Sequence, residues 1–334
     1  KRQRGFEFCL VVLPKSAASF YEQIKGELTF GECCCPSQCI QAKQTLQGKS
    51  GRPDLSKVTA VVLQMAGPKH SNSIWHVDHV EEISEALCSQ GGNKHMMVMA
   101  YDVMSSIACL CYTTDKKMAK THAVLANLEG GAEGRNPVAD LAEDALTKFH
   151  GCNGVWPAGV LLYRVGVSGS QSSRMADDAD EFCERIVQFY TDKGEPHPGI
   201  EICQVNLSGA KLMDGRNGNA PPGSMLDEDE KKTILLAHGS RPSATACPLR
   251  LIRVTPAAYC DNNETWEKVK RITQKNCSMY ENYSGTIKLP ALAHKAKICA
   301  DKLSRWWGRY RSGKDSWPEV YARLTPFLDR PFYV

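Results

Sequence analysis

The chain has 334 residues, 42% hydrophobic and 23% charged, which is a globular composition long enough for two domains at about 150 residues each; disorder and collagen-like structure are set aside. The net charge of +4 alone says little. Fifteen cysteines, odd in number and mostly set in apolar runs (Cys109, Cys111, Cys203, Cys299), read as reduced, buried thiols of an intracellular protein rather than a secreted disulfide framework. The Cys33-Cys34-Cys35 run with Cys39 lacks the second spaced pair of a zinc site. No apolar run approaches the roughly 18 residues of a membrane span; Phe8–Pro14 is strand-sized. A chain that opens on Lys1, directly before a buried strand, reads as a piece of something longer.

In chain order, the apolar stretch Phe6–Leu13 predicts a buried strand of the parallel type, stopped by Pro14. Ser19–Gly26 reads as a helix with Gly26 near its end, Cys39–Leu46 as a short strand or helix, and Gly48–Pro53 as a loop. Leu55, Val58, Val61, Val62 and Met65 fall at helical spacing, so Leu55–Met65 is a helix stopped by Gly67-Pro68. Short βα units of this kind suit an open α/β sheet. After the polar break Pro68–Ser73, His95–Val103 and Ile107–Tyr112 are strands. Pro137–Phe149 is a helix with Leu141, Ala145, Leu146 and Phe149 on one face. Ala158–Val165 is a strand, and Asp177–Tyr190 is a helix opened by acids, as the helix dipole favours. Ile200–Val205 and Thr233–Ala237 are strands on either side of a loop at Asn206–Gly223. Glu264–Tyr280 and Pro290–Tyr310 are the late helices.

Charge is unevenly spread. Residues 268–314 hold twelve basic side chains against two acidic ones, an electrostatic footprint suited to a phosphate backbone. The plainer reading is a solvated basic helix face.

The stretch Leu161-Leu162-Tyr163-Arg164-Val165-Gly166-Val167-Ser168-Gly169-Ser170-Gln171 is a strand ending in Tyr-Arg, then a Gly-x-Ser turn and a Gln. It resembles the Tyr-Arg-Asp-Gly-Val-Ser-Glu-Gln-like signature of the PIWI domain of Argonaute proteins. Tyr21 and Lys25, with Gln38-Cys39, are similar to guide-binding residues of the MID domain. Ala100-Tyr101-Asp102-Val103 resembles a Gly-Ala-Asp-Val strand end. Pro198-Gly199-Ile200, Ser240-Arg241-Pro242-Ser243, Leu289-Pro290-Ala291-Leu292-Ala293-His294 and Pro331-Phe332-Tyr333-Val334 follow in the family's order. The resemblance covers nearly the whole chain. It implies an α/β fold, with an RNase H-like PIWI domain over residues 71–334 preceded by part of a Rossmann-like MID domain over 1–70.

It also implies a nuclease site in which acidic oxygens hold two Mg²⁺ ions about 3.5–4 Å apart. Asp102 matches the first aspartate. Val165 stands at the second and ligates nothing. The loop glutamate falls near Asn136, with Glu133 or Glu129 as substitutes, and the last ligand falls at His294, with a one-residue ambiguity against Lys295. The Thr-His-Pro expected after Asp102, and the loop that follows it, are missing. Asp102, Glu133 and His294 are therefore expected as a catalytic remnant that binds Mg²⁺, if at all, unproductively. The plainer readings are a strand-end cap for Asp102, strand packing and a surface arginine for Tyr163-Arg164, and core packing rather than base stacking for Trp306-Trp307 and Tyr310.

The 5′-phosphate pocket implied by the resemblance is better kept. Tyr21 offers a ring, and Lys25, one turn later, faces the same side. Gln38 and the Cys39 backbone add donors. Two lysines of the family pattern are replaced by Ala60 and Gln64, for which Lys57 stands in, and Lys297 or Lys302 takes the place of a phosphate-binding arginine. The expected function is binding of a small guide RNA and its target RNA in gene silencing, alongside other silencing proteins, without cleavage, in the cytoplasm or nucleus and not at a membrane. The rivals are an active endonuclease with substitute ligands and a protein scaffold that has lost guide binding.

Overall fold

The computed structural model describes residues 9–32, 34–35, 37–41, 95–115, 118, 120–129, 137–166, 172–207, 220, 224–228, 233–236, 248–259, 263–280, 286–310 and 315–328. A small sheet pairs β1 (Cys9–Leu13) with β2 (Ser37–Gln41) in parallel, Cys9 opposite Ser37 and Leu13 opposite Gln41. Between them run a 3-10 segment, Lys15–Phe20, entered through Pro14, and helix α1 (Tyr21–Phe30).

A second sheet holds β3 (Met96–Met104), β4 (Ile107–Thr113), β5 (Thr121–Asn127), β6 (Gly159–Val165), β7 (Gly199–Leu207), β8 (Met225–Glu228), β9 (Thr233–Leu236) and β10 (Leu249–Arg253), in the order β5-β4-β3-β6-β7-β10-β9-β8. The central pairs β3–β6 and β6–β7 are parallel, and the flanking pairs are antiparallel. Helices α2 (Pro137–Asn153) and α3 (Ser172–Lys193) cover one face. The other is covered by α4 (Asn263–Asn276), α5 (Ala291–Tyr310) and α6 (Trp317–Leu324).

The apolar run of β3 is explained by these two layers. Met96, Val98 and Ala100 join the core under α4 and α5, while Met97, Met99 and Tyr101 join the core under α2 and α3. Cys109 and Cys111 alternate with Leu110 and Tyr112 on β4 in the same way. A strand buried on both faces needs no polar alternation. The described cysteines are free thiols, most of them buried. Among the described residues no helix is long and apolar enough to cross a membrane.

Several expectations change. Helix α1 does not end near Gly26 but continues to Phe30. Gly26 serves a close approach instead: a Cβ there would lie 2.9 Å from the Trp306 carbonyl oxygen and 3.3 Å from Tyr310 Cβ on α5. Helix α3 begins at Ser172, five residues before Asp177, and has no acid in its first turn. Its acids act elsewhere, as when Asp178 accepts a hydrogen bond from Arg164 Nη2 at 3.1 Å. Helix α4 stops at Asn276 rather than Tyr280. Asn206 and Leu207 finish β7, whereas the loop residues 208–219 lie outside the described residues, as do Gly48–Pro53, Leu55–Met65 and the domain boundary expected near residue 70. Strands β5, β8 and β10 and helix α6 were not anticipated. The segment after α6 closes the free edge of β5, where the Ala123 N–H donates to the Leu328 carbonyl at 3.0 Å.

The α1–α5 contact is tight enough to test. Alanine is intrinsically favoured over glycine in a helix by about 1 kcal/mol, yet Gly26→Ala is expected to lower stability by roughly 1–3 kcal/mol, because its methyl group meets backbone that cannot yield. Denaturant melts of the two chains measure the difference.

Candidate nucleic-acid interface

Two places carry the chemistry. The first lies where α1, β2 and α5 meet. Tyr21 and Lys25 are four residues apart on α1, so they share a face. Lys25 is only 3% exposed; its Nζ donates to the Ser37 carbonyl at 2.6 Å and to Ser37 Oγ at 3.0 Å, and it lies 4.4 Å from the ring centre of Trp306. An ammonium has three N–H donors, and Ser37 takes two.

Burial pulls the Lys25 pKa down from 10.5 to about 8; Lys302 on α5 pulls the same way, and the thiols of Cys39, Cys35 and Cys9 oppose it. Lys302 is itself lowered, first by burial, then by Arg305, with Asp301 opposing. The Tyr21 hydroxyl is pushed up by burial and by Cys39. The Cys39 thiol is pushed up by burial against the pull of Lys25. The structure thus brings Lys25 within electrostatic reach of Cys39 and Lys302, and Cys39 within reach of Tyr21. Gln38 sits in β2 opposite Leu10, and Lys57 lies outside the described residues.

Lys297, the other candidate on α5, instead acts on Asp102 and His294. The excess of basic residues in 268–314 is partly consumed inside the fold. Lys270 pairs with Asp227 and Glu267, Lys295 donates to Thr121 Oγ1 at 2.9 Å, and Arg305 bridges Glu22 at 3.1 Å and Asp301 at 2.7 Å.

The second place is the carboxyl end of the parallel strands. Tyr101 pairs with Arg164 across β3 and β6, so Asp102 and Val165 lie one step further along on neighbouring strands. The pleat puts Asp102 on the α5 side, opposite Cys109 of β4, with Val165 in the core of that side. Arg164 points to the other side, stacked on Tyr101 at 4.4 Å and tied to Asp178. Tyr163 is fully buried, its hydroxyl hydrogen-bonded to Thr273 Oγ1 at 2.9 Å. Gly166, with φ of 74°, turns the chain away, and a Cβ there would lie 3.6 Å from Asp102 Oδ1.

Asp102 is 7% exposed and accepts the Val103 N–H at 2.9 Å. Burial raises its pKa to about 6 against the pull of that N–H, Lys297 and Arg164, with Asp301 pushing it further up. His294 packs edge-on against Tyr280, 4.8 Å between centroids, and its pKa is lowered by burial, Lys297 and Lys302. Glu129 accepts a hydrogen bond from Trp307 Nε1 at 3.1 Å, thirteen residues beyond His294 on α5, or about 20 Å along the helix. Glu133 and Asn136 lie outside the described residues. Among the described residues no three His, Cys, Asp or Glu side chains come together as metal ligands, and Val165 has no ligating atom. The described residues do not fit a two-Mg²⁺ centre.

Sequence reasoning did not single out Ser37; its core reading of Trp306 agrees with the burial of that ring, which also lies 4.4 Å from Lys25 Nζ. The available signal was spacing: Lys302 and Trp306 are four apart on α5 and share a face.

A mixed sheet with parallel central strands, layered by helices and bearing an acid at a strand end, is the architecture of an RNase H-like domain. The chain matches the Piwi domain model over residues 8–307 and belongs to that family. It is 24% identical over 314 residues to Piwi-like protein Siwi of Bombyx mori, covering 87% of this chain and 32% of that one. It is 22% identical over 314 residues to Piwi-like protein 1 of Danio rerio, covering 87% and 33%. The chain therefore spans about a third of the length of these curated relatives. Among solved structures it superimposes on Drosophila Piwi with a TM-score of 0.70 at 17% identity, covering 98% of this chain and 42% of that one. It superimposes on Kluyveromyces polysporus Argonaute with a guide RNA with a TM-score of 0.72 at 16% identity, covering 98% and 42%. The fold is that of an Argonaute-like protein with an RNase H-like PIWI domain.

The carboxyl of Asp102 titrates near 3.8 when free and at about 6 here. The fold therefore disfavours its ionised form; the penalty is fully present above about pH 6 and gone below about pH 4. Asp102→Asn keeps an acceptor for the Val103 N–H and should raise stability by roughly 2–3 kcal/mol at pH 7.5 and by little at pH 4, read from denaturant melts at the two values.

Proposed function

We propose that the chain holds a small guide RNA by its 5′ end and pairs it with a target RNA without cutting, in gene silencing. The observation that carries this reading is the approach of Lys25 on α1 to Lys302 on α5, beside Tyr21. Burial lowers both lysines, and Lys302 adds to it at Lys25; a cation held out of water beside another costs energy. A phosphate is the ligand that turns this cost into attraction, through charge-assisted hydrogen bonds of roughly 1.5–3 kcal/mol each before losses. Tyr21 supplies a ring on which a terminal base can stack. One solved structure that shares this fold is Kluyveromyces polysporus Argonaute with a guide RNA.

Absence of cleavage is supported by Val165 beside Asp102. Mg²⁺ demands near-ideal oxygen geometry, and a strand end with a single carboxylate supplies too few charged ligands. The engagement of Lys25 with Ser37 favours a second reading, a scaffold in which this lysine has become purely structural.

A short RNA with a 5′ phosphate should bind about tenfold more tightly than the same RNA with a 5′ hydroxyl, roughly 1.4 kcal/mol. Lys25→Met should erase the difference. A sequence-independent, salt-sensitive affinity for the backbone should remain from the basic residues that are not paired internally. Equal affinity of the unmodified chain for the two RNAs at physiological salt would favour the scaffold. With a matched guide and target in Mg²⁺, the expected product is none, the missing carboxylate costing at least about 10³-fold in rate. Cleavage that disappears in Asp102→Ala would establish the endonuclease instead.

A further inference from the structure

Among the described residues, Lys25 is a buried cation whose hydrogen-bond partners, two oxygens of Ser37, are both neutral. An ammonium in such a place ordinarily loses its proton or finds a carboxylate. Here the carbonyl and hydroxyl oxygens of Ser37, 3% exposed, meet it at 2.6 and 3.0 Å, and the indole face of Trp306, 1% exposed, lies at 4.4 Å. A desolvated ammonium over an indole is the strongest form of the cation–π interaction. Trp306 is fixed from behind as well, because its own carbonyl oxygen packs against Gly26, the residue after Lys25. Neither Ser37 nor Trp306 belongs to the set of groups expected to touch phosphate.

We propose that Ser37 and Trp306 are positioning residues for Lys25, which keep its ammonium charged and aim its remaining N–H into the pocket that reads the 5′ phosphate. This rests on the guide-binding reading above. The ionisable groups around Lys25 are Cys39 on β2, Cys9 on β1, Cys35 between α1 and β2, and Lys302 on α5, with Tyr21 one turn earlier on its own helix. The Cys39 thiol is pushed up by burial, and Lys302 acts against the charge. The Ser37 oxygens and the indole lie within contact distance of the ammonium and carry its stabilisation against burial, which lowers its pKa to about 8.

The test uses the 334-residue chain with ¹³C-labelled lysine, the Lys25 Cε signal being assigned by its loss in Lys25→Met. Its titration midpoint should fall by about one pH unit in Trp306→Leu, which removes the ring, and stay nearly in place in Trp306→Phe, which keeps a π face. It should also fall in Ser37→Ala. In parallel, the ratio of affinities for 5′-phosphate and 5′-hydroxyl RNA is followed from pH 6.5 to 9. At pH 7.5 Trp306→Leu should lose most of the roughly tenfold preference, and Trp306→Phe should retain it. An unmoved Lys25 midpoint in a folded Trp306→Leu chain overturns the inference, as does an equal fall in Trp306→Phe. If Trp306→Leu does not fold, Ser37→Ala decides, and an unmoved midpoint there overturns it equally. A phosphate preference that keeps its pH midpoint in these variants overturns the inference and leaves guide binding standing. No preference at any pH in the unmodified chain overturns guide binding, and the aiming role with it.

Discussion

Helix α5 lies against three neighbours at once, and it does so because of how little protrudes from it. Ala293, Ala296, Ala300 and Cys299 let it settle on β3 and β4, where Leu292 and Leu303 fill the larger spaces. At its far end the Trp306 backbone is met by Gly26, which has no side chain, so that α1 comes within van der Waals reach of the helix itself. Trp307 then continues the core outward, edge-on to Phe30 at 5.4 Å and to Trp317 of α6 at 5.3 Å. Ion pairs of Glu22 with Arg305 and Arg309 line the solvent side of the same junction; being exposed, they contribute little beside the packing.

Two buried ionisable groups, one on each sheet, show what this framework makes of charge. Lys25 and Asp102 are both pushed toward neutrality by the same cause, loss of water. Their surroundings then diverge. Lys25 is drawn toward a second cation and wrapped by oxygens and an indole, which suits an incoming anion. Asp102 keeps one backbone N–H and faces a valine. The first arrangement gathers oxygens and a ring around one charge, whereas the second leaves a single carboxylate beside a side chain that has no ligating atom.

Much of the fold was legible because β3, β4, β6 and β7 are buried on both faces, which leaves long apolar runs in the sequence. The edge strands are not. Thr121–Asn127 is polar at both ends, and Met225–Glu228 is four residues long and half charged, so neither has a period to read. Leu249–Arg253 does alternate, Leu-Arg-Leu-Ile-Arg, but its two arginines disguise a strand in which Arg253 is buried against Glu201 and Trp266. Gly26 read as a helix stop because its reason for being glycine lies on another helix, 280 residues away. The site shows the same division. Tyr21, Lys25 and Lys302 were visible as residue types in a family pattern. Ser37 and Trp306 matter through contacts that no local window contains.

The shape of the space around Lys25 also restricts which cation can stand there. A lysine presents a compact point charge on a flexible stem, and the neighbouring glycine contact draws the base of that stem close to α5. An arginine would bring a planar fork with five N–H groups. Ser37 offers two oxygens and the indole a face but no acceptor plane, so several of those donors would be left without water or partner. At this position the two basic residues are not interchangeable, and the site tolerates only the rounder of the two charges.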